Sequence, residues 1–143
     1  MKRKDRCKIL LGLSDSLIRT LAKKVCEKHV VQEIEAPSHS LVMIKKRESS
    51  KNSVFYLSEI LVSECRVMIN DVMGLGILAG MDLKKAKYLA IIDAAFNANL
   101  KITEKIEKTL ENEKLKQDKE ERIKSKMVLD TRVSFNTMNE MED

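Results

Sequence analysis

Asp93 makes the clearest chemical demand in this sequence. It lies inside LAIIDAAF, residues 89–96, among side chains that face a core or an interface. A buried carboxylate has to be hydrogen-bonded or paired with a cation. The position therefore calls for a cationic side chain or a backbone N–H beside it, unless Asp93 sits at the edge of the apolar stripe and bonds locally. Arg47, just before the polar stretch ESSKNS, is a candidate anion contact or a plain exposed arginine. Gly74, Gly76 and Gly80 invite a phosphate-loop reading, because glycine lets a backbone approach phosphate closely. GLGILAG is too apolar and strand-like for a dinucleotide fingerprint, so these glycines read as turn and close-packing positions. His29, at a helix end, and His39, in a loop, have no second histidine at helical or hairpin spacing, so no self-contained metal site is expected. Cys65 on a strand and Cys26 on a helical stripe read as small buried hydrophobes. A nucleophilic thiol needs a base and a lowered pKa, which nothing local supplies. The expectation is no catalytic set, no metal and no cofactor.

The elements that must position these residues follow from periodicity. From Phe55 to Phe96 a near-alternating pattern (Ile60, Val62, Cys65, Val67, Ile69) gives way after Gly80 to a helical one. In the helix, Leu83, Ala86, Ala90, Asp93, Ala94 and Asn97 share one side, and Leu89, Ile92 and Phe96 a neighbouring, more apolar one. Asp82 is placed to cap its start. Asn70 to Gly74 reads as a turn between two strands of an antiparallel hairpin. Upstream, the spacing predicts a helix over Asp15–Lys28 with Ser14 as N-cap, preceded by a shorter helix around Ile9 that the Gly12-Leu13-Ser14 turn ends. Val30–Ala36 and Leu41–Lys46 read as two strands joined through Pro37–Ser40, and Glu48–Ser53 as an exposed hairpin loop. Ile102–Lys126 carries only a thin apolar stripe, which suits a solvated helix or an arm that orders on a partner. Beyond it, Met127–Asp143 recovers apolar residues and needs somewhere to dock.

The expected fold class is thus α+β: an N-terminal helix, an antiparallel β-sheet of hairpins, a long helix packed on the sheet, then a charged helical arm and a C-terminal docking tail. The division is 1–101 as the α+β core domain and 102–143 as arm and tail, docking on a partner. At 143 residues the chain fits one domain with a real core, and with aromatics at 3% that core is aliphatic. The net charge of +5 has its basic excess early, in Lys2, Arg3, Lys4, Arg6 and Lys8. This motivates one alternative, a small nucleic-acid-binding protein, which scarce aromatics and balanced charge elsewhere argue against. An independent enzyme using Cys65, His39 or Asp93 is another. With no secretory or membrane-length apolar run, and three cysteines without C-x-x-C spacing, a cytoplasmic location is expected and no membrane partner.

The order LVMIKKR, polar loop, FYLSEILVSECRV, GLGILAGMDLKKA, LAIIDAAF and TRVSFNTM resembles the PhnG family, the small subunit of the bacterial carbon–phosphorus lyase machinery. The likeness covers most of Leu41–Phe96 together with Thr131–Met138. Arg47, Glu59, Gly80, Asp82, Ala86 and Asp93 match. Ser49, Ser50, Lys51 and Asn52 replace a glycine-rich loop, Ser58 replaces a glycine, and Lys85 and Lys87 stand where relatives carry histidine and glutamate. The resemblance implies a subunit assembling with PhnH, PhnI and PhnJ, with PhnK and PhnL as further partners, and a homodimer as an option for the isolated chain. It implies a part in making α-D-ribose 1-methylphosphonate 5-triphosphate from ATP and methylphosphonate, with the nucleosidase-like step belonging to PhnI and the later radical cleavage to PhnJ. No catalytic residue of its own is implied; Arg47, Glu59, Asp82 and Asp93 are the candidate interface or structural polar residues.

Overall fold

A computed structural model of the chain describes residues 1–132. The architecture is α+β: helices α1 (Arg3–Leu11) and α2 (Asp15–Cys26), strands β1 (Gln32–Arg47), β2 (Val54–Ile69) and β3 (Val72–Ala79), then helices α3 (Leu83–Asn97) and α4 (Ile102–Asp130). The strands form one antiparallel sheet in the order β1-β2-β3.

Sheet and helix meet through their smallest residues. Ala86, Ala90 and Ala94 recur every fourth position on α3, so they line one side of it. Gly74 and Gly76 lie beneath them on β3. A Cβ on Gly76 would stand 2.0 Å from the Ala86 carbonyl oxygen, and one on Gly74 would stand 2.3 Å from the Ala94 nitrogen. Both obstacles are backbone, so only glycine permits this approach. Gly80, by contrast, has open space around it and a φ of +102°, the left-handed region. Around this contact the aliphatic core gathers Ile18, Leu21 and Val25 from α2, Cys65, Val67 and Ile69 from β2, and Ile92 from α3. Ile102, Ile106 and Leu110 from the first turns of α4 join the same cluster.

Several local expectations are corrected. Residues 32–47 form one strand, not two joined through Pro37–Ser40, and His39 lies in that strand rather than in a loop. Pro37 is accommodated because β1 is an edge strand and its register with β2 slips between Glu35 and Ser38, so the missing N–H is not needed. The β2–β3 turn is only Asn70-Asp71, both at positive φ (50° and 61°), as a two-residue hairpin requires, and the chain re-enters the sheet at Val72. Helix α2 ends at Cys26, which is exposed rather than packed. Ser14 occupies the N-cap position of α2 in an extended conformation, but its hydroxyl meets Ser16 instead of a backbone amide. Helix α4 continues through Met127–Asp130. Most of the expected docking tail, from Val133 on, lies outside the described residues.

Candidate functional site

Asp93 sits at the centre of the chain's one heavily bonded buried carboxylate cluster among the described residues. It is 4% exposed. Its Oδ1 accepts from Arg3 Nε (3.1 Å) and Arg6 Nη2 (3.2 Å), and its Oδ2 from Arg3 Nη2 (2.6 Å), the Leu75 amide (3.1 Å) and Asn97 Nδ2 (3.3 Å). Arg6, 7% exposed, also lies over the Phe96 ring at 4.1 Å. Among the described residues its Nε has no partner. The hydrogen bond and charge of Asp93 push the Arg3 pKa above its ordinary value. Both a cation and a backbone N–H thus answer the carboxylate, tying α1 to α3 and β3. The arginines are two of the five early basic residues, and their i, i+3 spacing on α1 was the signal available for them. With five donors on its two oxygens, Asp93 holds α1, α3 and β3 to one another.

Asp82 caps α3: its Oδ1 accepts from the Lys85 amide at 2.9 Å. Lys85 and Lys87 are themselves engaged. Lys85 Nζ donates to the Leu13 carbonyl (3.1 Å) and pairs with Asp15 (3.2 Å), and Lys87 pairs with Glu33. Arg47 Nη1 donates to the Asn52 carbonyl at 2.7 Å, closing its own hairpin loop. Glu59 is exposed on β2 opposite Met43. Arg47, Glu59, Asp82 and Asp93 therefore occupy four separate places: the tip of the β1–β2 hairpin, its middle, the start of α3 and the second half of α3.

Sequence reasoning missed a polar chain through the sheet. Ser63, fully buried, donates to the Gly80 carbonyl (2.8 Å) and meets His39 Nδ1 (3.1 Å). With the hydroxyl proton held by Gly80, His39 is left to donate to Ser63 Oγ rather than to activate it. Burial pushes the Cys65 thiol up, opposite to what a nucleophile needs. Among the described residues there is no group of three or more His, Cys, Asp or Glu side chains able to hold a metal ion. No helix among them is long and apolar enough to cross a membrane.

The feature that stands apart from the core is an apolar ribbon. Strand β3 covers β2 only along Val62–Ile69, so the remainder of the β1–β2 hairpin, residues 41–61, projects as two strands. Consecutive residues Val54 to Leu57 are all exposed, which means that both faces of the ribbon meet solvent. Leu41 is 63% exposed and Tyr56 61%, and Val42, Met43, Phe55 and Ile60 are exposed with them. Ile60, expected to face inward, stands just past the point where β3 stops pairing with the strand. Two-stranded hairpins are marginal in water, and contiguous apolar surface of this kind marks an interaction site.

Comparison with curated proteins gives no match. The family model described as phosphonate metabolism protein PhnG matches residues 1–140, nearly the whole chain. With that ordered set of motifs on this α+β frame, the chain belongs to the PhnG family of phosphonate metabolism proteins.

Proposed function

We propose that this chain is a non-catalytic subunit of the carbon–phosphorus lyase system, working in the cytoplasm. It assembles with PhnH, PhnI and PhnJ, and acts with PhnL, in making α-D-ribose 1-methylphosphonate 5-triphosphate from ATP and methylphosphonate with release of adenine. The observation that carries this reading is the ribbon of residues 41–61, apolar on both faces and, among the described residues, covered by nothing else. Its exposed side chains offer an area on the order of the roughly 800 Å² that each partner contributes to a standard protein–protein interface. The polar residues add support, because Asp93, Asp82, Ser63 and Lys85 each hold the chain's own backbone or side chains. Two of the basic N-terminal residues, Arg3 and Arg6, are spent on Asp93, which leaves little for a nucleic-acid reading.

Co-expression tests the reading. The chain should co-elute with PhnI, PhnH and PhnJ on size exclusion. Phe55→Ser with Ile60→Ser should remove it from that complex while its own circular dichroism stays unchanged, since neither residue belongs to the core. A chain that runs apart from PhnI, or a ribbon variant that co-elutes undiminished, refutes the proposal.

A further inference from the structure

Strand β3 stops at Ala79, opposite Val62, and the Gly80 amide donates the last main-chain bond across that edge, to the Leu61 carbonyl at 3.0 Å. Among the described residues no strand pairs with β2 on that side from Val54 to Ile60. Successive residues of an antiparallel strand turn their main-chain groups to opposite edges. Leu61 faces the β3 side, so Glu59 does as well, whereas Ser58 and Ile60 face Ile44 and Val42 of β1. The Glu59 amide thus has no strand opposite it among the described residues.

The other edges of the sheet are obstructed in ways this one is not. On the outer edge of β3, Asp93 takes the Leu75 amide, and Asn97 Nδ2 donates to the Met73 carbonyl at 2.9 Å. The outer edge of β1 has Pro37 and two register slips, between Glu33 and Glu35 and between Glu35 and Ser38, towards one end, and Lys45, Lys46 and Arg47 at the other. Proline, bulges and lysine are what keep a further strand off an edge. Val54–Ile60, VFYLSEI, has neither proline nor cation and a single irregularity, at Leu57. It is rich in β-branched and aromatic residues, which suit a paired strand. Its one charge, Glu59, is exposed and joins no ion pair among the described residues.

We infer that a partner subunit adds a strand of its own to residues 54–60 of β2, end to end with β3, and that this strand alternates apolar residues and sets a lysine or arginine opposite Glu59. The inference rests on the subunit reading above and specifies how the ribbon is held: by main-chain pairing along β2, with apolar contacts on its faces in support. Charge decides between occupants. A second copy pairing through the same segment brings no cation to Glu59, and residues 133–143 contain no lysine or arginine.

Hydrogen exchange resolved by residue, on the isolated chain and on the assembled complex, tests it. On assembly the Glu59 amide should slow at least roughly tenfold, and more than the amides of Ser58 and Ile60, which β1 already pairs. Glu59→Pro deletes the outward amide while sparing the bonds to β1, and it should abolish co-elution with the partner subunits. Glu59→Gln keeps the amide and removes the charge, and should weaken association roughly two- to fivefold. A Glu59 amide that exchanges equally fast in both states, or a Glu59→Pro chain that co-elutes undiminished, overturns the inference and leaves the subunit reading standing on the wild-type chain. An amide already slow in the isolated chain overturns it too, since the chain's own residues or a second copy then hold the edge. A wild-type chain that fails to co-elute sinks the subunit reading and this inference together. If Glu59→Pro misfolds, the exchange comparison decides.

Discussion

Replacing Asp93 with alanine is the most telling single change to the fold. It leaves Arg6, 7% exposed, as a buried cation facing a second arginine, and it leaves the Leu75 amide without its acceptor. Removing one member of a buried ion pair costs about 3–5 kcal/mol, because the stranded charge dominates. An orphaned amide alone is worth about 1–3 kcal/mol. The two overlap, so the expected loss is about 4 kcal/mol, a large part of the roughly 5–15 kcal/mol that holds an ordinary domain. Arg3 makes the shorter contact, 2.6 Å, yet its side chain is 57% exposed. Arg3→Ala should therefore cost about 1 kcal/mol or less, and bond length and energetic weight are expected to rank the two arginines oppositely. Urea unfolding followed by circular dichroism reads both values. In thermal melts the alanine at 93 should lower Tm by roughly 12–16 °C, taking about 3–4 °C per kcal/mol at this chain length. If Asp93→Ala costs under about 1 kcal/mol, or Arg3→Ala costs as much as Asp93→Ala, the assignment of the cluster as a buried staple is wrong.

Other expectations follow from the same geometry. Gly76→Ala drives a methyl into the Ala86 carbonyl and should cost about 3 kcal/mol or prevent folding, whereas Gly80→Ala strains only its own φ and should cost about 1–2 kcal/mol; equal losses by urea titration would contradict the close helix–sheet contact. Ser63→Ala removes the donor to Gly80 and should cost about 1–2 kcal/mol, detectable as a lower urea midpoint at unchanged slope. The hydrogen bond from Lys87 to Glu33 raises the lysine pKa above its ordinary 10.5. The folded state thus holds that proton more tightly than the unfolded chain, so the contribution is whole below pH 10.5 and is lost as pH climbs through the raised folded value. Because the pair is exposed, its size should be a fraction of a kcal/mol, and Glu33→Gln should flatten that part of the stability–pH curve without altering its neutral-pH shape.

Helix and strand order was legible because the local signals agree with the final packing. Asp82 caps where a carboxylate precedes a helical pattern, and Gly74 and Gly76 close-pack where an apolar strand keeps its glycines. The continuous β1 was not legible, since a proline reads as a break until one knows that its strand lies at an edge. Nor does alternation say how much of a strand is covered. Val62 and Ile60 look alike in sequence, and only the length of β3 makes one buried and the other exposed. Asp93 announced its need for a partner, but the only pointer to Arg3 and Arg6 was their i, i+3 spacing in the early basic run, 90 and 87 residues away. Ser63 gave no sign at all, because a serine in an alternating run passes for a surface residue.

The staple at Asp93 also sets an order in time. Its arginines lie 90 and 87 residues upstream of the carboxylate they meet. Closing a chain of that length costs about 4 kcal/mol in entropy, more than an ion pair returns before its surroundings are dry. Helix α1, first in the element order, is therefore among the last to be fixed. Helix α1 has to wait until the glycines of β3 and the alanines of α3 have come together, and only then does it close over them. Damage to the staple should accordingly appear as faster unfolding with an almost unaltered rate of folding.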